Sequence, residues 1–493
     1  MPRPFFVPQH SRFIFENALL SLLTAVLLVF VFPKFDWHVL APVALTPLLI
    51  ACARTGNGWQ RFIYGWGTGI IFWFLLCTWI QFVLEVYGGM GRWGGWGSFL
   101  LFAILKGLHW AVFAVLAGPL MNRVYAVPAV AALWTGLERT HGTFGFAWLA
   151  LGNTGIDMSL PLRLAPWVGV YGLSFVFAMM SVAVACVLLR FGRMRLAPLL
   201  ALPALWLLPA IPENVPAAEK AVIVQPDIDP AIEWTSLAAD RTEQQLALLS
   251  GAFPAPLLIW PELPAPLYYY DDPQFRILAG DIARHHGYFL FGTVGYTAKH
   301  EPLNSAVLLN PNGAVEGRYD KMYLVPFGEF VPAVFSFVNR ITKEAGDFAA
   351  GRDVKVLPAA GQRLGVFICY ESAFPHLVRQ FARMGANVLV NISNDGYFGH
   401  SEAREQHLEL VRMRAVENRR YIVRATNDGI SAVIDPAGRI VRRLPSYREL
   451  ASAVSYGTVE GTTFYTRHGD WFAWGCLAVG IALAIPWRRT ARE

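Results

Sequence analysis

The sequence predicts an α-helical transmembrane domain joined to an α/β extramembrane domain. Of the 493 residues, 55% are hydrophobic and only 15% are charged, a composition too apolar for an ordinary soluble protein. The charge is also uneven, because residues 1–210 hold five of the 35 acidic residues and the other 30 lie beyond them. The first part of the chain is therefore typical of a membrane protein, and most of the rest is typical of a globular domain.

Apolar runs define the predicted membrane spans. A helix needs about 20 apolar residues to cross the core of a bilayer. The runs lie at 15–32, 38–53, 62–84, 97–121, 126–137, 164–189, 196–211 and 471–487. We therefore expect a bundle of about seven spans in residues 1–211. An extramembrane domain is expected in residues 212–470, and a last span with a short tail in residues 471–493.

Basic residues set the expected orientation. Arginines follow the second, fourth and sixth apolar runs, as in Arg54, Arg123 and Arg190, and others flank both ends of the chain. Basic segments remain on the cytoplasmic side of a membrane. Both termini are therefore expected in the cytoplasm, with residues 212–470 on the opposite side. These flanks account for the net charge of +6, so the sequence gives no reason to expect nucleic acid as a partner.

Short strand-like runs alternate with helical stretches between residues 219 and 445. Continuous apolar runs such as KAVIVQ at 220–225 and RLGVFICY at 363–370 are typical of strands buried on both faces. The segments 305–321 and 431–444 predict β-hairpins, since each centres on a Pro-x-Gly turn. This alternation favours an α/β sandwich.

Three residues that can carry chemistry lie at or just after predicted strand ends. They are Glu262 after LLIWP, Lys321 after a hairpin, and Cys369 at the end of GVFIC. Strand ends at one edge of a sheet converge in space, and α/β folds build their sites there. Cys369 is the one cysteine outside the predicted spans, so it has no disulfide partner in its domain and is either inert or kept for its reactivity.

The three residue types together suit acyl transfer through a thioester. A thiol attacks as the thiolate and needs a base, which Glu262 can supply from surroundings made partly apolar by Trp260. Lys321 can stabilise the oxyanion that forms on a carbonyl, with the backbone amide of Tyr370 as a second donor. This chemistry requires neither a metal nor a cofactor. Taken alone, however, Glu262 is more typical of a turn or helix start, and Lys321 is more typical of a solvated surface.

The segments around these residues resemble the nitrilase, or carbon–nitrogen hydrolase, superfamily. The similarity is carried by WPELP, YDKMYLVPFGEFVP, CYES and NISNDGYFG, which contain glutamate, lysine and cysteine in that order. With several spans before this domain and one after it, the whole chain resembles the apolipoprotein N-acyltransferase family of the bacterial inner membrane. The resemblance implies a nitrilase-like αββα sandwich, with the catalytic domain in the periplasm.

The resemblance also implies residue roles. Glu262 matches a general base, Lys321 an oxyanion-stabilising lysine and Cys369 an acylated nucleophile. Supporting or lipid-pocket positions are matched by Glu329, Tyr370, Glu371 and Trp234. Glu329 follows Lys321 by eight residues and is expected to hold its ammonium group. The chain departs from the commoner pattern at Tyr397, where tryptophan is frequent, and at Ala147, where proline is frequent.

The implied reaction moves an acyl chain from a membrane phospholipid, typically phosphatidylethanolamine, to Cys369. The α-amine of diacylglyceryl-cysteine at the N-terminus of an apolipoprotein then accepts it. Two other hypotheses remain: a membrane-tethered nitrilase-type amidase acting on a small soluble amide, and a transporter with an external binding domain. The amidase does not need so many spans, and the transporter leaves Glu262, Lys321 and Cys369 unexplained.

Two further features point to the membrane. The loops 263–272 and 331–341 are aromatic and apolar, which predicts contact with lipid. Polar residues also occur in or near the spans, where a charge is costly unless it is paired or hydrated. These residues are Lys106, Glu138, Arg139 and His141. For Glu138 and Arg139 we expect anchoring at the membrane interface.

Overall fold

The structure is a computed structural model. It describes residues 9–143, 146–212, 215–326, 328–330 and 348–485. The loop 331–341, predicted to contact lipid, lies outside the described residues.

Helices form the first part of the chain. They are α1 (Gln9–Val31), α2 (Thr46–Arg54), α3 (Gly58–Leu76), α4 (Trp79–Val86), α5 (Gly91–Met121), α6 (Ala126–Thr143), α7 (Ser159–Leu162), α8 (Ala165–Val168) and α9 (Val170–Leu188). By length and hydropathy, α1, α5 and α9 qualify to cross a membrane, and α3 with α4 makes a fourth if this pair, bent by 62°, is one span. The number of spans in the bundle stays a prediction.

Prolines divide or tighten two of the predicted apolar runs. The second run is split between a 3₁₀ helix at His38–Val43, which contains Pro42, and α2. The seventh run forms a 3₁₀ helix at Arg193–Leu207 with two internal prolines. Proline lacks the backbone N–H that an α-helix needs in its interior, so these runs do not form regular α-helices of spanning length.

Strands and helices alternate in the second part. The strands are β1 (Glu219–Gln225), β2 (Leu257–Ile259), β3 (Tyr288–Tyr296), β4 (Pro302–Leu309), β5 (Val315–Asp320), β6 (Val356–Ala359), β7 (Gln362–Ile368), β8 (Val388–Ser393), β9 (Ile422–Thr426), β10 (Ala432–Ile434), β11 (Ile440–Arg443) and β12 (Leu450–Tyr456). The helices are α10 (Ser236–Ser250), α11 (Pro273–His286), α12 (Pro375–Arg383), α13 (Ala403–Asn418), α14 (Phe464–His468) and α15 (Trp471–Ala484). The edge strands β6 and β12 were not predicted.

Within the described residues, the strands form two six-stranded sheets, ordered β12-β1-β2-β3-β4-β5 and β11-β10-β9-β8-β7-β6. Side chains alternate across each strand, so that Ala221 and Ile223 of β1 belong to the core shared with the second sheet. Their neighbours Val222 and Val224 pack instead with residues of α10 and α11, such as Leu246. The predicted αββα sandwich is confirmed.

Strand direction brings the carboxyl ends of several strands to one side. Strands β1, β2 and β3 are parallel, and so are β7, β8 and β9. Strand β5 runs with β3, because both are antiparallel to β4. The residues that follow β2, β5, β7 and β8 therefore lie at two facing sheet edges, where α/β folds place their sites.

The helical bundle contacts this side of the sandwich. At the bend between α3 and α4, Gln406 of α13 donates a hydrogen bond to the carbonyl oxygen of Leu76 at 3.1 Å and to that of Pro33 at 3.3 Å. Trp148 donates to Gln406 Oε1 at 2.8 Å. Trp79 of α4 packs against Phe398, with ring centroids 5.0 Å apart. A side chain of the α/β domain thus completes the hydrogen bonding at a break in the bundle.

The two residues expected to anchor the chain at the membrane interface are both buried. Arg139 forms an ion pair with Asp470, directly before α15, and its guanidinium lies 5.0 Å from the ring centroid of Trp474. Glu138 accepts a hydrogen bond from the backbone of Leu151 at 2.7 Å. Arg139 therefore links α6 to α15, while the anchoring role of both residues stays a prediction.

Candidate active site

Cys369 follows β7 and begins a 3₁₀ turn over Cys369–Ala373. Its φ of +48° lies in the left-handed region, which is uncommon for a residue with a side chain and recurs at functional sites. The residue is buried, with 6% of its surface exposed. Burial raises the pKa of the thiol well above its usual range, the nearby Glu262 carboxylate raises it further, and Lys321 lowers it. The resting thiol is therefore protonated and needs a base.

Lys321 follows β5 and is almost completely buried. Its Nζ lies 2.9 Å from Glu262 Oε1 and 2.9 Å from Glu329 Oε2. Burial alone would lower the pKa of this ammonium group, but Glu262 and then Glu329 raise it well above its usual range. Lys321 therefore carries a fixed positive charge, and Glu329 lies where the sequence predicted it.

Two asparagines that the sequence analysis missed orient the carboxylates. The side-chain amide of Asn304 donates to Glu262 Oε1 at 2.8 Å and to Glu329 Oε1 at 2.6 Å. The backbone N–H of Asn394 donates to Glu262 Oε2 at 2.9 Å. We call Lys321, Glu262, Glu329 and Asn304 the lysine cluster. A buried asparagine within the apolar strand β4 was the available signal, since asparagine is rare in strands.

Glu371 joins the segment that carries the lysine to the segment that carries the cysteine. Its Oε1 accepts hydrogen bonds from the Tyr319 hydroxyl and the Met322 backbone, both at 2.7 Å. Its Oε2 accepts one from the backbone of Ile368 at 2.8 Å. Burial raises the pKa of Glu371 to about 7. Glu371 thus fixes the residues next to Lys321 relative to the residue before Cys369.

Tyr370 faces the helical bundle. Its ring packs against Trp148 and Phe374, with centroid distances of 6.1 and 5.1 Å. The backbone of Ala147 makes a hydrogen bond with the Tyr370 hydroxyl. A proline at position 147 would have no N–H for this contact. The residue after Cys369 is therefore held by a loop of the bundle.

Trp234 and Tyr397 are both partly exposed, at 38% and 44% of their surface. Trp234 is exposed on the loop after β1, and no described contact joins it to the lysine cluster or to Cys369. Asn427 holds this loop by accepting from the backbone of Ile228 at 3.0 Å, and it donates to Asn394 Oδ1 at 3.2 Å. Burial, followed by Glu262 and Glu329, raises the pKa of Tyr397 to about 12. Tyr397 therefore lies close to the carboxylates.

The loop 263–272 only partly presents its apolar residues to the surface. Leu267 and Tyr269 are buried in the core beneath α11. Tyr268 is 40% exposed. The predicted contact of this loop with lipid stays a prediction, with Tyr268 as its exposed aromatic residue.

The fold and the buried cysteine, lysine and glutamate define a carbon–nitrogen hydrolase domain attached to a helical bundle. Residues 220–462 match the carbon–nitrogen hydrolase family, and residues 24–183 match the apolipoprotein N-acyltransferase N-terminal domain. The amidase from Nesterenkonia sp. AN1, a solved structure, is 22% identical with a TM-score of 0.37 over 50% of this chain and 93% of that chain. That likeness is too distant to bear on function.

Whole-chain relatives specify the family. The chain is 36% identical to the apolipoprotein N-acyltransferase of Geobacter metallireducens, covering 96% of both chains. It is 31% identical to the one of Ralstonia nicotianae, over 88% of this chain and 85% of that relative. It is 30% identical to the one of Nitrosomonas europaea, over 89% of this chain and 91% of that relative. The chain belongs to the apolipoprotein N-acyltransferase family. The roles of its individual site residues stay predictions.

Proposed function

We propose that this protein transfers an acyl chain from a membrane phospholipid to an apolipoprotein, through a thioester on Cys369. The acceptor is the N-terminal α-amine of diacylglyceryl-cysteine, and the donor is phosphatidylethanolamine. The observation that carries the proposal is a buried thiol beside the Lys321–Glu262 pair. It occurs in a chain whose relatives along 96% of its length are apolipoprotein N-acyltransferases.

In the first half-reaction, Glu262 takes the proton of the Cys369 thiol, and the thiolate attacks the ester carbonyl carbon of the phospholipid. Lys321 and the backbone amide of Tyr370 stabilise the oxyanion that forms. The carbon–oxygen bond to the glycerol then breaks. The departing lysophospholipid oxygen receives the proton from Glu262, which leaves a thioester on Cys369.

In the second half-reaction, the α-amine of the apolipoprotein attacks the thioester carbonyl carbon and gives a proton to Glu262. The carbon–sulfur bond breaks, an amide forms, and the sulfur regains the proton. The buried position of Cys369 supports transfer over hydrolysis, because a thioester shielded from water survives until the amine arrives. Glu329, Tyr370 and Glu371 hold the reacting groups, and Trp234 belongs to the lipid-binding surface.

The proposed setting is the bacterial inner membrane. Residues 1–211 form the membrane bundle, residues 212–470 the periplasmic catalytic domain, and residues 471–493 a last span with a cytoplasmic tail. Both termini lie in the cytoplasm. The basic residues that flank the apolar runs support this orientation. The contact of the bundle with Tyr370 and Phe398 supports a site near the membrane surface.

Mass spectrometry of the Cys369 peptide tests the proposal. The purified full-length protein is incubated with phosphatidylethanolamine that carries a labelled acyl chain. We expect a labelled acyl mass on Cys369 that hydroxylamine removes and that an added diacylglyceryl-cysteine peptide takes up as an amide. The Cys369→Ala variant, folded and inserted in the membrane, serves as the control and gains no label. An unmodified Cys369 in folded wild-type protein would favour hydrolysis of a soluble amide instead.

A further inference from the structure

The left-handed backbone of Cys369 has a dedicated hydrogen-bond partner. His407 of α13 approaches the carbonyl oxygen of Cys369, with Nε2 at 3.0 Å. A carbonyl oxygen can only accept a hydrogen bond, so Nε2 must carry the proton. A left-handed conformation is unfavourable for a residue with a side chain. A partner that fixes the peptide unit after the strained residue offsets part of that cost.

His407 is itself held in one orientation. Its Nδ1 lies 3.0 Å from Asp395 Oδ1 and 3.1 Å from Arg424 Nη2. The ring is completely buried. Burial and then Arg424 lower the pKa of His407, although Asp395 opposes them. Nε2 therefore carries a proton, while Nδ1 is fixed between the Asp395 carboxylate and the Arg424 guanidinium.

Asp395 and Arg424 form a closed pair around this ring. Arg424 Nη2 donates to Asp395 Oδ2 at 2.6 Å, and the Ser393 hydroxyl donates to Asp395 Oδ1 at 2.8 Å. Burial alone would raise the pKa of Asp395, but Arg424 and then His407 lower it well below its usual range. We call His407, Asp395, Arg424 and Ser393 the histidine cluster. The charges of Arg424 and Asp395 balance each other and the whole cluster is buried, so it is placed to act on Cys369 by position.

We propose that His407 is a positioning residue for the acylation of Cys369. Its Nε2–H holds the Cys369 carbonyl, and this contact fixes the turn that aims the thiol towards the lysine cluster. The inference rests on the proposed acyl transfer through Cys369. The set of Glu262, Lys321 and Cys369 does not predict this role, because His407 lies 38 residues beyond Cys369 on a helix.

Two substitutions with side chains of similar length separate the effect of the hydrogen bond to Cys369 from the effect of packing. His407→Gln places an amide N–H where Nε2 stands, whereas His407→Met places a methyl group there. Thioester formation on Cys369 is followed in a single turnover with labelled phosphatidylethanolamine in detergent micelles. We expect His407→Met to form the thioester about 10²-fold more slowly, because a misplacement near 1 Å costs about this factor. The phospholipid KM should change by less than about threefold, and His407→Gln should keep the rate within about tenfold.

Two results would overturn the proposal. One is a folded His407→Gln protein that acylates as slowly as His407→Met at a similar melting temperature, and the other is a His407→Met rate within about threefold of the wild-type rate. If His407→Met does not fold, His407→Asn replaces it, because its shorter amide reaches Asp395 but not the Cys369 carbonyl. Failure of the proposed function is distinct, since the wild-type protein then forms no thioester.

Discussion

Two buried charge clusters lie beneath the same side of the sandwich and differ in their balance. In the lysine cluster, one ammonium group faces the two carboxylates of Glu262 and Glu329. In the histidine cluster, one guanidinium group, from Arg424, faces the one carboxylate of Asp395. The lysine cluster therefore has a carboxylate beyond the one that neutralises its cation. A cluster with an extra carboxylate can move a proton, whereas a cluster whose charges balance holds its neighbours in place.

The largest expected effect separates the two carboxylates of the lysine cluster. Glu262→Gln removes the proposed base and should lower acyl transfer by about 10³-fold. Glu329→Gln removes only a partner of Lys321 and should cost about tenfold. In both variants Lys321 keeps one carboxylate, so the free energy of unfolding should stay within about 1 kcal/mol of the wild-type value. Steady-state acyl transfer in detergent measures the loss of activity, and thermal melting measures the stability. Equal losses of activity in the two variants would contradict different roles for Glu262 and Glu329.

A substitution in the histidine cluster should instead lower the stability of the protein. Asp395→Asn leaves the Arg424 guanidinium buried without its carboxylate and should lower the free energy of unfolding by about 3–5 kcal/mol. Asp281→Asn is the control, because its pair with Arg284 is at the surface and is worth less than about 1 kcal/mol. Thermal melting of both variants measures this difference in stability. A stable Asp395→Asn protein would contradict the view that this pair is structural.

An intermediate effect depends on pH and involves Glu371, which borders the lysine cluster. Its pKa rises from 4.5 to about 7 in the folded protein, so the stability it contributes is complete below pH 4.5 and is lost as the pH rises through 7. Between these values the wild-type protein should lose on the order of 3 kcal/mol relative to Glu371→Gln, whose amide does not titrate. Melting curves from pH 4 to 8 measure this difference. A constant gap between the two proteins would show that Glu371 keeps one charge state.

The smallest expected effect concerns the loop after Lys321. The Tyr323 hydroxyl lies 2.7 Å from His376 Nε2, and Tyr323→Phe removes this contact at a cost of about 1 kcal/mol. Acyl transfer should fall by up to about fivefold, because this loop connects Lys321 to Glu329. Tyr421→Phe is the matched control, since its hydroxyl bonds the Val215 carbonyl at 2.8 Å, away from the site. The control should lose similar stability without losing activity.

The sequence predicted the sandwich because its cues are local. The strand runs and the Pro-x-Gly hairpins each occupy a few neighbouring residues, and the strand ends at Glu262, Lys321 and Cys369 follow from them. The partners of these residues are not local. Asn394 reaches Glu262 across 132 residues, and Asn304 reaches it across 42. Pairing at such separations depends on how the two sheets stack, which hydrophobic periodicity does not encode.

The membrane bundle was harder to predict for a related reason. Hydropathy identifies apolar runs but does not show where a run bends, and α3 and α4 turn by 62° within a single run. The seventh run is apolar throughout, yet its prolines make it a 3₁₀ helix. Length and composition therefore leave the number of spans open, while the α/β domain is well determined.

The side chain of Gln406 at the bend between α3 and α4 has a consequence for biogenesis. The helices of the bundle leave the ribosome before residue 406 is synthesised. During synthesis the Leu76 carbonyl therefore lacks the Gln406 amide that donates to it in the finished protein. Unpaired carbonyls in an apolar setting cost several kcal/mol. The bend should therefore mature only after α13 has docked. A bundle translated alone should be a better target for membrane proteases than the complete chain, and a catalytic domain expressed alone would expose the surface around Gln406 and Phe398.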